Sequence, residues 1–110
     1  MAELGNQTLS GLKIDVKKDG GVTLLKLSGE FEGMAALESR DVFFKHLGES
    51  KNLALDFGEI EYVDSAAVGL LIDLAKDASG KHVRFGLMNV RDSVKKVLVL
   101  TQVDKLITIY

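Results

Sequence analysis

Apolar and charged positions begin to alternate at Leu12. Leu12, Ile14 and Val16 are interleaved with Lys13, Asp15 and Lys17. A period of two puts one set of side chains on each face of a strand, so this stretch reads as a half-buried strand. Asp19-Gly20-Gly21 tolerates positive φ and predicts a hairpin turn. The return strand is Val22 to Leu27, with Thr23, Leu25 and Leu27 on one face and Val22, Leu24 and Lys26 on the other. Its more continuous apolar character predicts a more central position. Ser28 to Gly33 reads as a loop. From Met34 the spacing becomes helical: Met34, Leu37, Phe44 and Leu47 follow it, with Ala36, Val42 and Phe43 alongside, while Glu38, Arg40, Asp41 and Lys45 would face water. Gly48 is a stop signal. Lys51 to Phe57 is a short apolar third strand, and 58–63 reads as a connector leading to Asp64.

Asp64-Ser65 then opens an amphipathic helix to about Ala78, with apolar residues at 68, 71, 72 and 75, ending at Ser79-Gly80. Gly69 costs about 1 kcal/mol relative to alanine in a helix interior. Close helix–strand packing is the expected reason for it. His82 to Met88 is a fourth strand. Asn89 or Asp92 can cap a third helix over Ser93 to Leu100, with Val94, Val97 and Leu98 inward. Leu106, Thr108 and Tyr110 alternate with Ile107 and Ile109 in a terminal strand. The order ββαβαβαβ implies right-handed crossovers. The predicted fold is a single α/β domain over 12–110: a mainly parallel sheet of four to five strands, an antiparallel edge hairpin, and helices packed against it. Residues 1–11 are small and polar and predict a flexible N-terminal arm.

Length and composition agree with one globular domain. The chain has 110 residues, 46% hydrophobic and 27% charged, and no cysteine. Disulfides and thiolate metal sites are therefore excluded. A formal charge of −2 gives no basic face for nucleic acid. No apolar run approaches the roughly 20 residues of a membrane span, so membrane insertion is not expected. The start resembles no signal peptide, and a cytoplasmic location is the resulting expectation.

The candidate chemistry centres on Ser65. Asp64 or Ser65 can cap the helix by accepting from free backbone N–H groups. A catalytic serine would need a base and an oxyanion hole, and there is no Gly-x-Ser-x-Gly elbow. Nothing in the spacing of His46 or His82 brings either to Ser65, and both read as ordinary surface or strand-end residues. Asp56 ends a strand like a phosphoacceptor aspartate, but no acidic pair follows the first strand to hold magnesium. Glu30 and Glu32 read as a solvated loop rather than metal ligands. No Gly-rich phosphate loop is present. The remaining reading makes Ser65 a substrate. An exposed serine at a helix N-terminus can accept a phosphoryl group, adding about −1.5 to −2 charges and altering a contact surface.

Three segments carry a resemblance. Leu55-Asp56-Phe57 followed by Tyr62-Val63-Asp64-Ser65-Ala66-Ala67-Val68-Gly69-Leu70-Leu71 resembles the signature of the STAS family, the anti-sigma factor antagonists. Leu27-Ser28-Gly29-Glu30-Phe31-Glu32 is similar to that family's Gly-Glu-apolar-Asp turn, and Val94 to Leu98 with Val103 to Leu106 is similar to its third helix and the turn after it. The resemblance implies a partner-switching regulator with no active site, metal or cofactor of its own. Unphosphorylated, it would bind an anti-sigma factor that is also a serine kinase, and so control sigma-factor-dependent transcription. Phosphorylation of Ser65 would release it, and a PP2C-type serine phosphatase would reset it. Asp64, Ser65, Ala66, Glu30 and Glu32 would form the partner surface. Two residues depart from the pattern: Ala67 stands at a usual glycine and Glu32 at a usual aspartate. The alternative is a STAS subunit that is not phosphorylated and binds constitutively, as in stressosomes or lipid-transport complexes.

Overall fold

Chain order and spatial order coincide in the sheet. A computed structural model describes residues 2–110, in which six strands lie side by side in the order in which they occur. They are β1 (Ala2–Leu9), β2 (Leu12–Asp19), β3 (Val22–Phe31), β4 (Asn52–Val63), β5 (Arg84–Met88) and β6 (Thr108–Ile109). The first three pair antiparallel and β3 to β6 pair parallel. Each parallel step is bridged by a helix: α1 (Gly33–Gly48), α2 (Ser65–Gly80) and α3 (Asp92–Leu100), the last followed by a 3-10 turn at Val103–Lys105. This is the mixed α/β architecture expected, with one more strand.

The extra strand is β1. Residues 2–9 lie in the segment expected as an arm, yet they pair with β2 from Ala2↔Lys18 to Leu9↔Leu12. Gly5, Asn6, Gln7 and Thr8 are exposed, so no apolar alternation marks them. An edge strand needs only backbone partners. Met1 of the expected arm lies outside the described residues.

Register explains the core. Ile14↔Leu27 and Val16↔Leu25 pair across the hairpin, and Leu25↔Leu55↔Leu87 continues the row through β4 and β5. These residues are buried, whereas Lys17, Lys26 and Asp56 on the opposite face are half-exposed.

The loop expected at 28–33 and the connector at 58–63 are largely strand. Ser28↔Glu59, Gly29↔Ile60 and Phe31↔Val63 extend the β3–β4 pairing past two register shifts. Gly29 at φ +97° makes the bend, and a Cβ there would strike the Gly11 carbonyl oxygen. The bend leaves Gly29 exposed between buried Leu27 and Phe31, which is why the polar run hides a strand. It also buries Phe31 completely, with edge-on contacts to Phe43 at 5.8 Å and Phe57 at 5.7 Å.

The inward face of α1 differs from expectation. Ala35, Ala36, Ser39, Phe43 and Leu47 are buried, while Met34 is 57% and Leu37 65% exposed. Small residues let α1 sit close to α2, and the Ser39 hydroxyl is satisfied by donating to the Ala36 carbonyl. α3 begins after Arg91 with no side-chain cap; Asn89 takes a left-handed conformation and donates instead to Asp56 Oδ1. Asp56 Oδ1 also accepts from Gly58 N at 2.9 Å, so that carboxylate shapes the β4 bulge.

At the far end of α1, Ser50 donates to the His46 carbonyl and hydrogen-bonds Thr23 at 2.6 Å. His46 Nδ1 is buried with no partner among the described residues. Burial, then Lys18, lower the His46 pKa, against an opposing pull from Glu49. The Lys18 hydrogen bond lowers the Glu49 pKa.

This packing makes two predictions. Phe31→Ala should lower unfolding free energy by about 3–5 kcal/mol in urea titration, because it empties the aromatic centre. A lowered folded-state pKa at His46 means the unfolded chain takes up the proton first. Stability is then complete above about pH 6.5 and falls as pH drops from there through the folded value. His46→Gln should remove that part of the loss in thermal melts between about pH 7 and 5. The Glu49 contribution should remain, being lost only at lower pH, as the carboxylate protonates.

Candidate functional site

The paired ends of β3 and β4 launch both helices. Phe31 lies beside Val63 in the ladder. One residue on, Glu32 and Asp64 occupy the N-cap positions of α1 and α2, both with extended backbone. Only Asp64 caps with its side chain. Its Oδ1 accepts from Ala67 N at 3.0 Å, and its Oδ2 accepts from Gly33 N at 2.9 Å. One carboxylate thus satisfies a free N–H at the start of each helix, where a negative charge also meets the positive end of each helix dipole. Glu32 makes no side-chain cap bond, so α1 borrows its cap from the neighbouring segment.

Capping by Asp64 leaves Ser65 unengaged. Ser65 is the first residue of α2 and is exposed, and its Oγ makes no hydrogen bond among the described residues. The N–H groups of Ser65 and Ala66 have no acceptor there either, as expected in a first helical turn. Among the described residues, neither histidine bonds to Ser65, and no three His, Cys, Asp or Glu side chains are placed to hold a metal ion.

Two shallow clefts flank the serine. One, between α1 and α2, has a volume of about 280 Å³ and is lined by Leu37, Arg40, Ser65, Ala66, Gly69 and Asp73, among others. Arg40 closes its far side by bonding Asp73 at 2.9 Å. The other, about 430 Å³, is lined by Gly29, Glu30, Glu32, Glu59, Glu61 and Tyr62. The structure therefore places Asp64, Ser65 and Ala66 together. Glu30 and Glu32 sit in the second cleft, joined to Asp64 through the Gly33 bond.

Several surface residues here are not marked by the sequence pattern. Helical spacing points Met34 and Leu37 inward, but both are exposed, Leu37 in the cleft beside Ser65. Gly69 does not serve the helix–strand packing expected of it. It faces outward, and a Cβ there would meet nothing within 4 Å. It lies one turn after Ser65 on the same cleft, so its signal is the helical spacing from Ser65 rather than its cost. Ala67, by contrast, is fully buried: its methyl is part of the core and its N–H carries the cap.

Comparison with known proteins agrees with this fold. The family model for the STAS domain matches residues 13–110. The chain belongs to the STAS domain family. A Thermotoga maritima protein whose name proposes it as an anti-sigma factor antagonist is 30% identical over 77 residues, covering 69% of this chain and 68% of that protein. The fold is similar to the crystal structure of an anti-sigma factor antagonist from Mycobacterium paratuberculosis, with TM-score 0.79, 21% identity, and 90% and 85% of the two chains covered. It is also similar to the Bacillus cell fate determinant SpoIIAA in its phosphorylated form, with TM-score 0.70, 17% identity, and 88% and 90% covered. At these identities the two structures establish the fold. Among the described residues, no helix is long and apolar enough to cross a membrane.

The double cap makes a stability prediction. Asp64→Ala should cost about 2 kcal/mol, near the upper end of single-cap values, because two helix starts lose their acceptor. Asp64→Asn should recover part of that, since its one carbonyl oxygen can satisfy one N–H. Urea denaturation of the three proteins reads the order directly.

Proposed function

We propose that this domain is an anti-sigma factor antagonist, switched by phosphorylation of Ser65. The observation that carries the reading is the division of labour at the start of α2. Asp64 takes the capping role, and the Ser65 hydroxyl is left exposed with no hydrogen bond among the described residues. In the unphosphorylated state the domain binds an anti-sigma factor with serine kinase activity, through Asp64, Ser65, Ala66 and the flanking Glu30 and Glu32. Leu37 adds exposed apolar area beside the serine, with Met34 about one turn earlier on α1, and Gly69 lets a partner approach the α2 backbone closely. That sequestration controls sigma-factor-dependent transcription.

The bound kinase transfers the γ-phosphoryl group of ATP to Ser65 Oγ. The hydroxyl proton leaves and ADP is the other product. The unpaired N–H groups of the first turn and the helix dipole favour the new anion locally. Asp64, Glu30, Glu32, Glu59 and Glu61 add negative charge around it, so the contact surface changes charge and bulk without refolding of the domain. A PP2C-type serine phosphatase removes the group. The residues supply no chemistry of their own in this scheme, and the protein is a substrate and binder in the cytoplasm.

Both departures from the family pattern are compatible with it. Ala67 packs its methyl in the core while its N–H is capped. Glu32 leaves capping to Asp64.

Incubation with ATP and the cognate kinase should add one phosphoryl group by intact mass, and Ser65→Ala should take none. Label persisting in Ser65→Ala would overturn the site. Ser65→Asp should weaken kinase binding by about tenfold or more, which is about 1.4 kcal/mol, by calorimetry. Undiminished binding would favour the constitutive STAS subunit instead.

A further inference from the structure

A second surface runs along α3 to the 3-10 turn and β6. Val99, Leu100, Leu106 and Tyr110 are all exposed, Leu100 to 83%. They line adjoining clefts around α3, the 3-10 turn and β6. A third cleft joins Lys105 and Leu106 to Lys76 and Ser79 near the C-terminal end of α2. Side chains this apolar, grouped on the surface of a small domain, mark a contact area.

The two ends differ in charge. Around the apolar group stand Lys76, Lys95, Lys96 and Lys105, none of them in an ion pair among the described residues. Asp92 and Asp104 are the acidic residues that share those clefts. At the N-terminal end of α2, Glu30, Glu32, Glu59 and Glu61 surround the exposed Tyr62. Arg91 lies beside them, bonded to Glu61 at 3.2 Å. α2 has 16 residues, so its axis separates Lys105 and Leu106, beside its C-terminal end, from the acidic cleft by about 24 Å, whereas Lys95 and Lys96 lie within a turn of Ser93, whose Oγ donates to the Glu61 carbonyl.

We infer that the basic, apolar α3–β6 end binds the acidic, Tyr62-bearing end of a second copy of this chain, head to tail. The charges are complementary only in that orientation: two copies meeting by like ends would oppose lysine to lysine or glutamate to glutamate. Strand addition is not the means. β6 is two residues long and offers little free edge, so side chains carry the contact. Each copy keeps one end free after pairing, so the association is open and grows with concentration rather than closing at a dimer. It depends on exposed charge and is weakened by salt. Phosphorylation of Ser65 is not required for it.

Sedimentation velocity on the whole chain tests this, from about 10 μM to about 1 mM, in about 0.02 M and about 0.5 M salt. The weight-average mass should rise with concentration at low salt and return towards the monomer at high salt. Two variants fix the orientation: Glu59→Lys with Tyr62→Ser blocks the acidic end, and Leu100→Ser with Leu106→Ser blocks the other. Each alone should stay monomeric. Mixed, they should give a one-to-one dimer and nothing larger, because one intact end of each kind remains. That rescue also shows both variants are folded. A wild-type monomer at every concentration in low salt overturns the inference. So does a variant that still self-associates alone, because that places like ends together.

Discussion

One carboxylate holds the functional end of this domain together. Asp64 accepts from the first turns of both α1 and α2, at 2.9 and 3.0 Å. The geometry works because Phe31 and Val63 are ladder neighbours, so the residues after them leave the sheet side by side. Two helix starts with unsatisfied N–H groups would otherwise repel each other through their positive ends. A shared negative charge between them turns that repulsion into a tie. The aromatic contacts of Phe31 beneath this junction fix the strand ends that make it possible.

The same tie explains how a hydroxyl can be both well placed and unoccupied. Serine at a helix start normally spends its oxygen on the backbone. Here the preceding aspartate has done so, and Ser65 inherits a rigid position without an internal partner. Presentation and capping fall on neighbouring residues rather than competing for one.

Much of this is legible in the residues. The hairpin at Asp19-Gly20-Gly21, the parallel units and the start of α2 come from alternation, turn chemistry and helical spacing. What is not legible depends on tertiary partners. β1 is held by backbone pairing with Leu9 packed against the core, and the exposed polar side chains of Asn6, Gln7 and Thr8 carry no signal. The strand at 59–63 is hidden because the bulge at Asp56 shifts the buried positions from Leu55 and Phe57 to Ile60 and Val63. The face of α1 misleads because Met34 and Leu37 are large and apolar yet exposed, while the buried seam uses Ala35, Ala36 and Ser39. For the site, Asp64 and Ser65 are visible as a pair. Which of them caps becomes visible only where Gly33 donates across 31 residues of chain.

The coincidence of strand order with chain order also bears on how the molecule is built. Each strand docks on the edge left by the one before, so no later segment must be threaded between earlier ones. Asn89, Arg91 and Ser93 bond to Asp56, Gly58 and Glu61 at the end of β4, but the bend at Gly29, the double cap at Asp64 and the first turns of α2 lie within residues 11–74. A ribosome delivers that part before β5, α3 and β6 exist. The junction at Asp64 can therefore begin to assemble during synthesis, and the last third of the chain adds the remaining edge of the sheet and ties down the β4 end that leads to it.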